Sequence, residues 1–151
     1  MPTTNVKLAP FTLTGEFAIA TEADVSAVLV GRAAAPYPPG NVLVNGAAFP
    51  ATTSGDVTIT WNHRYRLGPF IVAQNAGDVA GGPEGNYTIE IAINGILIRT
   101  VAGIAGKTFT YTRAQRLIDN ANAALPTTIT IIPVNGALSG TPRSLTFIMN
   151  P

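Results

Sequence analysis

Apolar and polar residues alternate with a period of two along much of this chain. The clearest stretch is Gly55-Asp56-Val57-Thr58-Ile59-Thr60-Trp61-Asn62-His63-Arg64-Tyr65-Arg66. Val57, Ile59 and Trp61 fall on one face and Thr58 and Thr60 on the other, the signature of a half-buried β-strand. Tyr87, Ile89, Ile91 and Ile93 repeat the pattern, as do Leu145, Phe147 and Met149. The alternation and the turn residues predict strands over 41–44, 56–61, 87–93, 96–101, 107–111, 127–134 and 143–149. Asn45-Gly46 and Asn135-Gly136 supply turns, and Asn94-Gly95 reads as a type I′ hairpin. Pro133 lacks a backbone donor, so the strand end that carries it is expected at an edge or a bulge. The expected core is Val57, Ile59, Trp61, Tyr87, Ile89, Ile91, Leu145 and Phe147.

One helix interrupts the strands. Thr112 can cap it, and Gln115 completes a capping box three residues later. Ala114, Leu117, Ile118, Ala121 and Leu125 recur at helical spacing, and Pro126 stops the run. Such a helix would seal one end of the strands. Residues 1–35 follow a looser pattern and read as an extended N-terminal arm with one or two short strands. The proline-rich run Ala35-Pro36-Tyr37-Pro38-Pro39-Gly40 is a stiff boundary, because proline fixes its own φ and extends the residue before it. The expected division is therefore an arm, 1–35, and a sandwich, 36–151. A tryptophan in the second strand and a tyrosine opening the third suit an all-β, fibronectin type III or immunoglobulin-like β-sandwich.

Composition changes what that sandwich is for. Charged residues make up 11% of the chain, against roughly 25% in ordinary globular domains. A surface so poor in charge favours a subunit that works inside an assembly. The net charge of +1 gives no reason to expect nucleic acid or an acidic membrane as partner. No apolar run reaches the length of a membrane helix. Met1-Pro2-Thr3-Thr4-Asn5 does not look like the start of a secretory leader, which sets an expectation of synthesis in the cytoplasm. With no cysteine and one histidine, neither a disulfide framework nor a histidine-cluster metal site is expected, and no cofactor is.

Candidate chemistry is sparse. His63 offers a general base, but Arg64 and Arg66 beside it disfavour its charged form, and a loop histidine is the simpler reading. Asp78, Glu84 and Asn86 share a glycine-rich loop between 64 and 86, in no calcium-binding spacing. Arg64, Tyr65 and Arg66 form a basic-aromatic cluster that suits either a protein–protein contact or an intradomain ion pair. No catalytic residue is assigned, and the chain is expected not to be an enzyme.

Five stretches, taken in order, resemble a known family. They are Pro36-Tyr37-Pro38-Pro39-Gly40-Asn41-Val42, the run from Gly55 to Arg66, Tyr87-Thr88-Ile89-Glu90-Ile91, Ile98-Arg99-Thr100-Val101, and Phe109-Thr110-Tyr111-Thr112-Arg113-Ala114-Gln115. They look like the fibronectin type III-like domain of phage tail-tip hub proteins, the putative phage tail protein family also found in gene transfer agents. The resemblance covers about residues 36–150. It implies a virion structural role in the tail or baseplate, as a tail-tip component or fibre adaptor. Other virion proteins and copies of the chain itself would be its partners, in a symmetric homo-oligomeric assembly. A capsid decoration protein would have the same composition. A receptor- or carbohydrate-binding module has thinner support, since Tyr65 and Phe70 are the only aromatics of the longest loop.

Overall fold

The computed structural model describes residues 35–65, 77, 84–119 and 124–150, together with the backbone of four short strands at 3–6, 11–12, 15–16 and 25–28. The chain divides into two compact units, Met1–Ala34 and Ala35–Pro151.

The first unit pairs its own strands rather than only extending. β1 (Thr3–Val6) runs antiparallel to β4 (Val25–Val28), and β2 (Phe11–Thr12) pairs with β3 (Gly15–Glu16). Backbone donors and acceptors of these strands thereby find partners within the unit.

The second unit is a two-layer sandwich. One sheet has the order β10-β7-β5, from Thr108–Tyr111, Val57–Asn62 and Gly40–Val44. The other has the order β6-β13-β11-β8-β9, from Thr52–Thr53, Arg143–Met149, Leu125–Asn135, Asn86–Ile93 and Ile96–Ile104. β12 (Leu138–Ser139) adds to β11. The first, second and fifth long strands thus face the third, fourth, sixth and seventh. This is a fibronectin type III-like, immunoglobulin-class β-sandwich with one short helix.

Alternation explains the core. Val42, Val44, Val57, Ile59 and Trp61 project from the smaller sheet. Tyr87, Ile89, Ile91, Ile129, Ile131, Leu145, Phe147 and Met149 project from the larger, and all join one buried cluster with Tyr111. Trp61 meets Tyr87 edge to face across the layers, with ring centroids 5.2 Å apart, a geometry that adds to area burial. The outer faces carry threonine ladders instead. Thr128 and Thr146 hydroxyls lie 2.8 Å apart, and Thr130 and Ser144 2.9 Å. Such cross-strand pairs keep an uncharged face solvated while contributing about 0.2–1 kcal/mol each.

Turn chemistry follows the sequence at two hairpins. Asn45-Gly46 and Asn94-Gly95 all have positive φ, as a type I′ turn requires. Asn45 also braces the neighbouring strand, its Oδ1 accepting from the Thr58 amide at 2.8 Å.

Several boundaries differ from those the pattern predicts. β9 continues to Ile104, and α1 spans only Arg113–Asp119. Leu125 and Pro126 open β11, paired with Met149 and Ile148, so they belong to the sheet and not to a helix. Ala121 lies outside the described residues. Leu117 and Ile118 are exposed, and the buried residue of α1 is Arg116. Pro133 stands in a central strand opposite Tyr87. It is tolerated there because the β13 ladder stops at Ile131 and the β12 ladder begins only at Val134, so neither asks Pro133 for a donor. Only the Pro133 carbonyl is used on that side, accepting from the Gly140 amide at 2.8 Å.

The interlock of Trp61 predicts the largest single-site loss. Trp61→Ala should cost about 3–5 kcal/mol in chemical denaturation, the usual range for emptying a core aromatic site. A loss under about 1 kcal/mol, the scale of a surface change, would mean that Trp61 does not anchor the core.

Candidate functional site

The strongest polar constellation joins the two sheets at one edge. Asp119, the last residue of α1, takes two hydrogen bonds from Arg99 of β9. Arg99 Nε donates to Oδ2 and Nη2 to Oδ1, both at 2.8 Å. Tyr111 of β10 donates its hydroxyl to Asp119 Oδ2 at 2.7 Å. One carboxylate therefore ties the smaller sheet, the larger sheet and the helix.

Register explains how Arg99 reaches it. Arg99 pairs with Ile91, whose side chain faces the core, so Arg99 lies on the inner face of β9. The Asp119 side chain is only 8% exposed there and that of Arg99 27%. The paired guanidinium holds the Asp119 carboxyl below the usual carboxylate range, with the Tyr111 hydrogen bond acting the same way. Burial, reinforced by the bond to Asp119, pushes the Tyr111 phenol upward. Both oxygens of Asp119 are engaged, so the cluster is built as a clasp and offers no free base.

The helix is fixed to the clasp by its other residues. Thr112 and Gln115 form the reciprocal capping box. The Thr112 amide donates to Gln115 Oε1 at 3.0 Å, and the Gln115 amide to Thr112 Oγ1 at 3.2 Å. Asp56 Oδ1 accepts from the Arg113 amide at 2.7 Å. Arg116 turns into the end of the sandwich and donates to the Gly55 and Asn150 carbonyls. A guanidinium with several donors suits a buried position lined by carbonyls.

The residues singled out from the sequence lie apart from the clasp. Arg64 is buried, 7% exposed, and donates to the Gly77 carbonyl at 3.2 Å. A β-carbon at position 40 would collide with its guanidinium, which accounts for Gly40 there. Arg64 is thus bonded within its own unit, to a backbone carbonyl. Tyr65 is half-buried, and Arg66, Phe70 and Asp78 lie outside the described residues. His63 Nδ1 is 3.0 Å from the Tyr87 hydroxyl, and the two rings stack at 5.9 Å. Val57, Ile59, Trp61, Tyr87, Ile89, Ile91, Leu145 and Phe147 are all buried. Arg99, Asp119 and Arg116 escape sequence reasoning. The inward parity of Arg99 shows in its pairing only once the β9 register is fixed.

Among the described residues, no three His, Asp or Glu side chains gather as a metal site, and no helix is long and apolar enough to cross a membrane.

No protein-family model matches the chain, and no curated protein does. Solved structures align with it over most of its length. The rat CD45 extracellular region, domains d3–d4, aligns with a TM-score of 0.47 and 14% identity, over 97% of this chain and 63% of that one. The chicken CNTN1 FN1–FN3 domains align with a TM-score of 0.48 and 14% identity, over 99% of this chain and 41% of that one. The chain thus spans less than two thirds of either.

The clasp makes stability depend on pH at both ends. A carboxyl depressed in the folded state stabilises above its unfolded pKa, and that stabilisation is lost as pH falls through the folded value. A phenol raised in the folded state stabilises below its unfolded pKa, and that contribution is lost as pH rises through the folded value. Asp119→Asn should therefore cost about 2 kcal/mol at neutral pH, the scale of hydrogen bonds to a charged group. In denaturant melts the gap to the parent chain should close on acidification below the carboxylate range. An equal gap at neutral and acid pH would show that the carboxylate charge contributes nothing.

Proposed function

We propose that the chain is a non-catalytic structural protein of a bacteriophage virion, placed in the tail or baseplate and acting by protein–protein assembly. The observation that carries this reading is where the five family-like stretches fall. They supply β5, β7, β8, β9 and the passage from β10 into α1. Within them lie Asp56, Arg99 and Tyr111, which bond the helix to both sheets, and Gln115, which caps it. The resemblance therefore follows the parts that define this particular sandwich, where a generic β-repeat would supply only the core.

Surface chemistry supports the same reading. The outer faces are threonine ladders, and charge is 11% of the chain. Such a surface has little electrostatic barrier to packing against neighbours. Its partners would be other virion proteins and copies of itself, and its location the virion after synthesis in the host cytoplasm.

Purified particles give the test. Mass spectrometry should find the chain in them at fixed stoichiometry, and labelling by electron microscopy should place it on the tail. Label on the head would assign it to capsid decoration instead, and absence from particles would overturn the virion role.

A further inference from the structure

The edges of this sandwich are not equivalent. β5 is five residues long and leaves directly from the prolines at 36, 38 and 39, while β10 has four residues and β6 two. Short strands and prolines blunt an edge against pairing. β9 ends the order of the larger sheet and runs for nine residues, Ile96–Ile104, without proline or lysine. Bulges and an inward-pointing charge can also guard an edge, but the two register shifts of β9 leave Arg99, Thr100 and Val101 regularly paired between them. The one charge on β9 is Arg99, and Asp119 already satisfies it.

The edge is also apolar. The β8–β9 register shifts between Ile91 and Ala92, leaving Ile98 as an extra residue. Alternation breaks at such a bulge. Ile96 on the uncovered margin of the inner face, and Leu97 and Ile98 at the bulge, are all exposed, at 64%, 55% and 41%. Leu117 and Ile118 stand beside Asp119, at the helix end of the same ion pair, and Ile118 is 81% exposed. Seven large apolar side chains are exposed among the described residues, and these are five of them; Tyr37 and Phe49 are the others.

We propose that β9 pairs antiparallel with β9 of a second copy, joining two larger sheets across a two-fold axis. Charge argues for a copy as the occupant. A two-fold contact places equivalent residues near one another, so a charged edge would repel itself. This edge brings only the neutralised Arg99, and the whole chain has a net charge of +1. A second copy also brings the same apolar residues, so that each patch covers the other, as exposed patches of this kind require. The inference does not depend on the virion reading. Particle content tests that reading, whereas the mass of the isolated chain in solution tests this one.

Sedimentation equilibrium of the full chain at high micromolar concentration is the experiment. The expected result is twice the mass of one chain, with slowed amide exchange along β9. Leu97→Lys should restore the mass of one chain while leaving the thermal transition in place. Ile118→Lys, on the helix and outside the sheet, should raise the dimer Kd roughly tenfold or more. A parent chain that stays monomeric would overturn the proposal, including one whose β9 patch is taken by another protein. So would a folded Leu97→Lys chain that keeps the doubled mass.

Discussion

The carboxylate of Asp119 is the constraint on which the edge of this sandwich depends. The larger sheet is wider than the smaller one, and β9 lies at its margin. The inner face of β9 therefore lacks full cover. Ile96 is exposed, while Arg99 and Val101 are half-buried. An apolar inner face there would stay wet. The chain instead places an arginine on it and brings a short helix across, whose last residue meets both that arginine and the buried tyrosine of the opposite sheet. Without that ion pair, the guanidinium and the phenol would both need new partners in a largely desolvated place, at a cost comparable to lost hydrogen bonds.

This arrangement explains why α1 is so short and so weakly amphipathic. A helix of seven residues is too brief to be stable by its own propensity. Its apolar residues, Leu117 and Ile118, face outward, and Arg116 is the one it buries. What holds it is directional bonding: the capping box at its start, Asp56 on its first amide, Arg116 on two carbonyls and Asp119 at its end. Polar networks of this kind specify a position more sharply than apolar packing, because each donor has few acceptable acceptors.

The contrast shows what was legible in the sequence. Alternation is a local property, so Val57, Ile59 and Trp61 declare their face without reference to any other strand, and Asn94-Gly95 declares its turn. The capping box is equally local, with both partners three residues apart. Arg99 and Asp119 are twenty residues apart and meet only because β9 and α1 converge on the same edge. Neither has a signature in its own neighbourhood. The helical spacing of Ala114, Leu117, Ile118, Ala121 and Leu125 misled for the same reason. Periodicity marks a face, but the tertiary fold decides whether that face is covered, and here Leu125 was claimed by a strand ladder with Met149. Pro133 shows the converse, since its tolerance depends on where the neighbouring ladder happens to end.

The same clasp that completes the fold also determines what is left outside it. By pairing Arg99 with Asp119, it neutralises the inward charge that would otherwise protect β9. By ending the helix at the ion pair, it leaves Leu117 and Ile118 exposed in the turn that carries Asp119. Charged residues make up only 11% of the chain, so charge does little to oppose contact. Five of the seven exposed large apolar side chains among the described residues thus lie on β9 or at the end of α1. An assembly formed there would rest on backbone already held rigid by the clasp, so little ordering entropy would remain to oppose it.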